Sequence, residues 1–182
     1  MRLVVLDRDG VINHESDAYI KSPDEWIPIS GSLEAVARLN QDGFSVVVAT
    51  NQAGVGRGFF DLAALAKIHA KMTVSLAKVG GHLDGIFFCP HRPEENCGCR
   101  KPGPGLFRQI AESFHVNLSG VPVIGDSLRD IEAAETVGAR PILVRTGYGE
   151  ETLRQLTDQS RAEVFANLSR VVDYLIKQGK HT

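Results

Sequence analysis

The stretch Leu3-Val4-Val5-Leu6-Asp7-Arg8-Asp9-Gly10-Val11-Ile12-Asn13 decides how this chain is read. Four apolar residues, Leu3 to Leu6, lead directly into a turn of Asp, Arg, Asp and Gly. A short apolar run that stops at turn chemistry predicts a strand buried on both faces, as in a parallel sheet. The two carboxylates then fall at the carboxyl end of that strand, where open α/β sheets hold ligands. Asp is costly to bury without a cation or a hydrogen-bond partner, so a pair placed here asks for one. The competing reading is a polar strand-end turn, and the rest of the chain decides between them.

Working outward, strand-like runs recur at residues 44–49, 85–89, 121–124 and 141–144, with helix-periodic segments between them. Ser32 is placed to cap a helix over 33–42 that Gly43 ends. Asp61 is placed to cap a second over 62–79, in which Leu62, Leu65, Ile68, Met72, Leu76 and Val79 keep helical spacing. Helices are expected over 105–114 and 128–137. A polar helix from about Glu150, a weak strand at 164–165 and an amphipathic helix over 168–176 follow, and 177–182 is expected to fray. The segment 14–31, with Pro23 and Pro28, reads as irregular, and 53–58 as a glycine-rich loop. Strands alternating with helices predict an α/β fold, a doubly wound parallel sheet of spatial order 3-2-1-4-5. Its switch point lies between the first and fourth strands and brings Asp7 and Asp9 beside Asp126, with Thr50 flanking the same crevice. No segment is long enough for a separate cap domain. A single domain over 1–182 is expected, in which the loops 13–23, 51–60 and 89–99 select the substrate.

Composition narrows the function classes. The 182 residues carry a formal net charge of −2, which supplies no basic footprint for nucleic acid or anionic membrane. The apolar run before Asp7 is too short for a signal peptide, and no stretch approaches the ~18 apolar residues of a membrane span. A cytoplasmic monomer acting on a small molecule is expected. The three cysteines, Cys89, Cys97 and Cys99, lie within eleven residues, a pattern that points to metal before disulfide. With His91 they supply three thiolates and an imidazole, a closed tetrahedral set for a structural Zn²⁺. The site would staple its loop just before Arg100 and Lys101. His14, His69, His82 and His115 have no ligand-like partners in sequence and read as surface or core histidines.

Oxygen donors gathered at one sheet edge suit a hard divalent cation, and Mg²⁺ takes one or two carboxylates together with phosphate oxygens and water. Pro102 ends the segment Arg100-Lys101-Pro102 and turns Lys101 back into the crevice. A phosphoryl group held by Mg²⁺, Lys101, the Thr50 hydroxyl and the N–H groups of the 7–10 turn has its charge met on several sides. A carboxylate can attack phosphorus in line to give an acyl phosphate. Asp9 can protonate the leaving alkoxide and later deprotonate water.

Asp7-Arg8-Asp9-Gly10, Thr50-Asn51-Gln52, Arg100-Lys101-Pro102 and Gly125-Asp126-Ser127-x-x-Asp130 together resemble the four motifs of the haloacid dehalogenase superfamily, in order and over about residues 3–145. The resemblance implies Asp7 as nucleophile, Asp9 as general acid/base, and Thr50 and Lys101 as phosphoryl binders. It implies Mg²⁺ on Asp7, Asp126 and the Asp9 backbone carbonyl, with Asp130 behind them. The zinc loop and the stretch from Thr50 to Gly58 are similar to the heptose-bisphosphate phosphatases within that superfamily, with the histidinol-phosphate phosphatases as the alternative. The former implies a sugar bisphosphate that loses its 7-phosphate, a step toward lipopolysaccharide core. Arg100, permanently charged and able to grip phosphate with two hydrogen bonds, favours a second phosphate over the amine of histidinol phosphate. Arg57 is a candidate second cation. Arg8, Tyr19, Asn51, Gln52 and Ser127 complete the expected substrate contacts; Ser127 stands where some heptose phosphatases carry Lys. Glu15 shares with Tyr19 the loop from which sugar hydroxyls are reached. A non-catalytic zinc-stapled module would be expected to lack one of Asp7, Asp9, Lys101 or Asp126, and all four are present. A nucleic-acid 3′-phosphatase shares the motif pattern but would carry a basic stripe.

Overall fold

β1 (Arg2–Leu6) runs through the middle of a parallel sheet, as its unbroken apolar sequence requires. In the computed structural model, which describes residues 2–179, its residues from Leu3 to Leu6 are at most 4% exposed. Among the described residues β1 is joined by β2 (Phe44–Asn51), β3 (Gly85–Cys89), β4 (Pro122–Gly125), β5 (Arg140–Val144) and β6 (Glu163–Phe165). The spatial order is 3-2-1-4-5-6 and every pairing is parallel. The expected order is therefore extended by one strand. The weak run at 164–165 is long enough to join because β5 offers it a ready-made edge, pairing Ile142 with Glu163 through Val144 with Phe165.

Alternate residues of the central strands face opposite layers, the period-2 consequence of the pleat. Val4, Leu6, Val46, Val48, Ile124 and Ile142 pack under α1 (Ser32–Gln41), α3 (Leu62–Lys78) and α7 (Leu168–Gly179). Leu3, Val5, Val47, Ala49 and Val123 pack under α4 (Gly105–Phe114) and α5 (Leu128–Thr136). α2 (Ala53–Gly56) is a single turn in the loop read as glycine-rich, and α6 (Gly149–Gln155) follows β5.

Two helix ends differ from expectation. Gly31, in the left-handed conformation at φ 80°, is the N-cap of α1; Ser32 lies inside the helix and its hydroxyl donates to the Ile12 carbonyl at 2.5 Å. The serine thus ties the helix to the chain leaving the turn that follows β1. α7 continues to Gly179, past the expected fraying point, while 180–182 lie outside the described residues. Asp61 does cap α3, accepting from the Ala64 N–H at 2.7 Å.

The register positions the site. Leu6 pairs with Val48 on one side and Ile124 on the other, so Asp7 leaves the sheet beside Thr50 and Asp126. No helix among the described residues is long and apolar enough to cross a membrane.

Candidate active site

At the carboxyl edge of β1, β2 and β4, an inner cavity of about 40 Å³ is lined by Asp7, Asp9, Thr50, Lys101, Asp126 and Asp130, among others. Lys101, 2% exposed, sends its ammonium to the Ala49 carbonyl at 2.7 Å, to Asp130 at 2.6 Å and to Asp7 at 3.1 Å. Asn51 holds it there by a reciprocal clamp. The Asn51 amide donates to the Lys101 carbonyl at 3.0 Å and its oxygen accepts from the Lys101 N–H at 3.1 Å. Asp130 also accepts from the Ser127 hydroxyl at 2.6 Å and from its N–H at 3.0 Å, a capping box that starts α5. Asp126 hangs over this group, its carboxylate accepting from the Tyr148 N–H at 2.8 Å. Gly10 and Gly147 pass so close to that carboxylate that a Cβ on either would overlap it, and both have positive φ.

Charge at this edge is unevenly compensated. Burial, followed by Asp130 and Asp7, pushes Asp126 up to about 9. Burial raises Asp7 to about 6 in spite of Lys101. Asp130, although buried, is held below the ordinary carboxylate range by Lys101. Asp7 and Asp126 are thus two converging carboxylates whose repulsion no side-chain cation fully relieves, a donor set that fits a hard divalent ion. The oxygens of Asp7, Asp126 and Asp130 lie within 4.8 Å of one another. Asp130 belongs to Lys101 and Ser127, so it stands behind the other two.

Asp9 is differently held. Its two oxygens accept from Arg8 Nε at 2.9 Å and Nη2 at 3.0 Å, from the Asn13 amide at 2.8 Å and from the Gln52 amide at 3.0 Å. Burial is more than offset by Arg8, and the carboxyl lies below its usual range. Arg8, expected to touch substrate, is instead fully buried and lines neither cavity, because its guanidinium is taken by Asp9 and by His69 of α3. Gln52 donates to Thr50 at 3.0 Å as well as to Asp9, and Ser127 spends its hydroxyl on Asp130. Ser127, expected among the substrate contacts, thus caps α5 while it lines the inner cavity.

The inner cavity opens into an outer one of about 230 Å³, with which it shares Asp9, Glu15, Asn51 and Arg129. Four loops from distant parts of the chain rim it. Tyr19 packs on Phe59 with ring centroids 5.3 Å apart, Arg57 pairs with Glu94 at 3.2 Å, and the Tyr148 hydroxyl donates to Asp17. Glu15 lies between the cavities, and burial followed by Asp9 pushes it up to about 7. Arg100 makes one long contact, to the His91 carbonyl at 3.5 Å, and its guanidinium is disfavoured first by burial and next by Arg129. Arg57, expected as a candidate second cation, is thus engaged, whereas Arg100 and Arg129 form no ion pair with a carboxylate among the described residues. The sequence reading missed Arg129, and its signal was a cation in the first turn of a helix, against the dipole. It also missed Asn13 and Tyr148. Only the closure of the fold brings Tyr148 to Asp126.

The thiol sulfurs of Cys89, Cys97 and Cys99 lie 3.1 to 3.5 Å apart, and His91 Nδ1 is 3.5 Å from Cys89 and 3.2 Å from Cys99. These spacings are far longer than a disulfide and close to the edges of a small tetrahedron. Bonds of about 2.3 Å to sulfur correspond to tetrahedral edges of about 3.8 Å, so a metal would be seated once the thiols part by a few tenths of an ångström. Cys99 immediately precedes Arg100, which lines the outer cavity, and Lys101, which lines the inner one.

Comparison with known proteins follows the same lines. A family model described as HAD-hydrolase-like matches residues 98–171, and one described as polynucleotide kinase 3 phosphatase matches residues 3–129. The chain is 52% identical over 178 residues, 98% of its length and 99% of the relative's, to the D-glycero-β-D-manno-heptose-1,7-bisphosphate 7-phosphatase of Bordetella bronchiseptica. It is 49% identical to the enzyme of the same name from Pseudomonas putida, covering 97% of this chain and 100% of that one. The crystal structure of the B. bronchiseptica D,D-heptose 1,7-bisphosphate phosphatase, complexed with magnesium and phosphate, superimposes with a TM-score of 0.96 over 98% of this chain and 99% of that one. The Burkholderia thailandensis D,D-heptose 1,7-bisphosphate phosphatase does so with a TM-score of 0.77 at 45% identity, over 96% and 99%. Carried by all four motifs and by this likeness along nearly its whole length, the chain belongs to the HAD-like phosphatases and, among them, to the D-glycero-β-D-manno-heptose-1,7-bisphosphate 7-phosphatase family.

Proposed function

We propose that the chain removes the 7-phosphate of D-glycero-β-D-manno-heptose 1,7-bisphosphate through a phosphorylated Asp7, in the cytoplasm, on the way to lipopolysaccharide core. The observation that carries the reading is the pairing of the two cavities. The inner one offers a nucleophile, an acid and a buried ammonium. The outer one shares residues with it and holds two arginines, Arg100 and Arg129, that pair with no carboxylate among the described residues. A substrate with a phosphate at each end answers both. Histidinol phosphate would bring its amine to Arg100 and Arg129, a like-charge encounter.

An Asp7 oxygen attacks phosphorus and the bond from phosphorus to the sugar oxygen breaks; Asp9, ionised in the free site, takes the proton of the incoming phosphate monoester monoanion and passes it to the departing alkoxide. Asp9 then takes a proton from water, the hydroxide attacks phosphorus, and the bond to Asp7 breaks, releasing phosphate and restoring the carboxylate. Lys101 and the Thr50 hydroxyl hold the phosphoryl oxygens while charge moves. Asp7, Asp126 and the Asp9 backbone carbonyl would hold Mg²⁺, whose chemistry is to neutralise charge on those oxygens. Support for Mg²⁺ comes from the two under-compensated carboxylates and from the magnesium in the B. bronchiseptica structure. Zn²⁺ on Cys89, His91, Cys97 and Cys99 is the structural ion we assign to the neighbouring loop, since four protein ligands leave no open position. A metal there ties down the chain leading into Arg100 and Lys101.

Asp7→Asn is expected to lower turnover by roughly 10³-fold or more while leaving the fold intact, since it removes the attacking carboxylate and keeps its shape. Borohydride added during turnover should reduce the acyl phosphate and leave homoserine at position 7, visible by peptide mass spectrometry. Failure to trap residue 7 under conditions that trap an authentic aspartyl phosphate would refute the covalent route.

Arg129→Ala and Arg100→Ala should each raise KM for the heptose bisphosphate by about 10-fold or more, the loss of one charge-assisted phosphate contact. The same changes should leave a heptose 7-monophosphate nearly untouched. Equal losses on both substrates would remove the bisphosphate assignment.

The raised carboxyls make stability depend on pH. Asp7, Glu15 and Asp126 have folded values of about 6, 7 and 9, all above those of the unfolded chain. The folded state then binds the extra protons, so stability of the metal-free protein falls as pH rises from about 4 to 9. Mg²⁺ binds the charged forms and should offset that fall. The gain in Tm on adding Mg²⁺ is expected to grow steadily between pH 5.5 and 8.5; a gain independent of pH would contradict the assigned ligands.

Purified protein should hold about one Zn²⁺ that survives chelation sufficient to remove Mg²⁺. Cys97→Ser should lower both Tm and kcat by freeing the loop before Arg100. Full activity and unchanged Tm in zinc-stripped protein resupplied with Mg²⁺ alone would rule out a structural zinc.

A further inference from the structure

Arg8 carries a full charge with no exposure to solvent, and Asp9 satisfies only part of its guanidinium. Nε and Nη2 are taken by the two Asp9 oxygens. Nη1 turns the other way and meets Nε2 of His69, 61 residues along the chain, at 3.3 Å. His69 projects from α3 next to the buried Ile68, and its ring sits edge-on to Phe88 with centroids 5.9 Å apart at 60°. Guanidinium nitrogens only donate, so the imidazole must accept: Nε2 carries the lone pair and Nδ1 the hydrogen. Burial, and then the charge of Arg8, holds this histidine near 4, so it stays neutral where an acceptor is needed.

We infer that His69 is a positioning residue for the reaction: by accepting from Arg8 it fixes the guanidinium that aims the Asp9 carboxyl at the leaving oxygen. The inference rests on the acid role proposed for Asp9. A general acid works only within hydrogen-bond reach of its target, and displacement by about 1 Å costs on the order of 10²-fold. Asn13 and Gln52 also bind Asp9, but each supplies one N–H from a neutral amide. Arg8 alone grips both oxygens, and its orientation is set from behind by α3. Without an acceptor on Nη1, a buried N–H would be unpaired, and the guanidinium would move toward whatever acceptor it could reach.

The test separates positioning from general support by varying the leaving group. A sugar alkoxide needs a proton as it departs, whereas nitrophenolate does not. His69→Leu is expected to lower kcat for the heptose bisphosphate by about 10- to 100-fold with KM nearly unchanged, and for nitrophenyl phosphate by less than about 3-fold. His69→Gln, whose amide oxygen can accept from Nη1, should recover most of the loss. If His69→Leu does not fold, His69→Asn, too short to reach Nη1, takes its place with the same expected pattern. Equal losses on both substrates, unchanged kcat for the bisphosphate, or no rescue by Gln would overturn the role of His69. Asp9→Asn is the parallel control. If it shows the leaving-group dependence and His69→Leu does not, His69 alone is at fault. If Asp9→Asn affects both substrates alike, the acid role of Asp9 fails and the inference falls with it.

Discussion

Lys101 puts a positive charge where almost no water reaches it, within 3.1 Å of Asp7 and 2.6 Å of Asp130. An isolated ammonium there would be too costly to keep charged, and an isolated carboxylate likewise. Each is tolerated because of the others, and the cluster exists only because three strand ends and the loop after β3 meet. Four carboxylates, Asp7, Asp9, Asp126 and Asp130, face two buried cations, Lys101 and Arg8. Arg8 is committed to Asp9 and Lys101 chiefly to Asp130, so the uncompensated charge collects on Asp7 and Asp126. That asymmetry turns a polar sheet edge into a place for a divalent cation and a phosphoryl group.

The neighbouring residues divide along the same line between chemistry and support. Asn51 grips the Lys101 backbone, Ser127 caps the helix that carries Asp130, and Gln52 bridges Thr50 and Asp9. Few of these groups face open space, which suits a site where dipoles must already be aimed before charge develops. The outer cavity is different: Glu15, Arg100 and Arg129 sit there with sparse partners, as groups awaiting a ligand do.

Much of this was legible in the chain itself. The apolar runs ending in Asp7, Thr50 and Asp126 named the strands and their order, because a strand buried on both faces cannot hide its pattern. The cysteine spacing named the cluster. Single-residue roles were less visible. Asp7, Arg8 and Asp9 are adjacent letters, but the middle one is drawn into the core by Asp9 and by the distant His69, and no composition signal says so. Arg57 and Arg129 look alike as letters, and only the position of Glu94 separates an occupied cation from an available one. His69 read as an ordinary core histidine because its partner lies 61 residues away. The Gly31 cap was missed because Ser32 is the stronger cap by propensity, but its hydroxyl was drawn to the Ile12 carbonyl.

The rim of the outer cavity is tied to itself: Asp17 to Tyr148, Tyr19 to Phe59, and Arg57 to Glu94. Ties of this kind join loop to loop rather than loop to sheet, so the shape of the outer cavity of about 230 Å³ is held by side chains from segments far apart in the chain. The rim is thereby a linked frame: a change of side chain at any one of these positions is felt by the loop opposite, and the cavity is inherited as a unit rather than loop by loop.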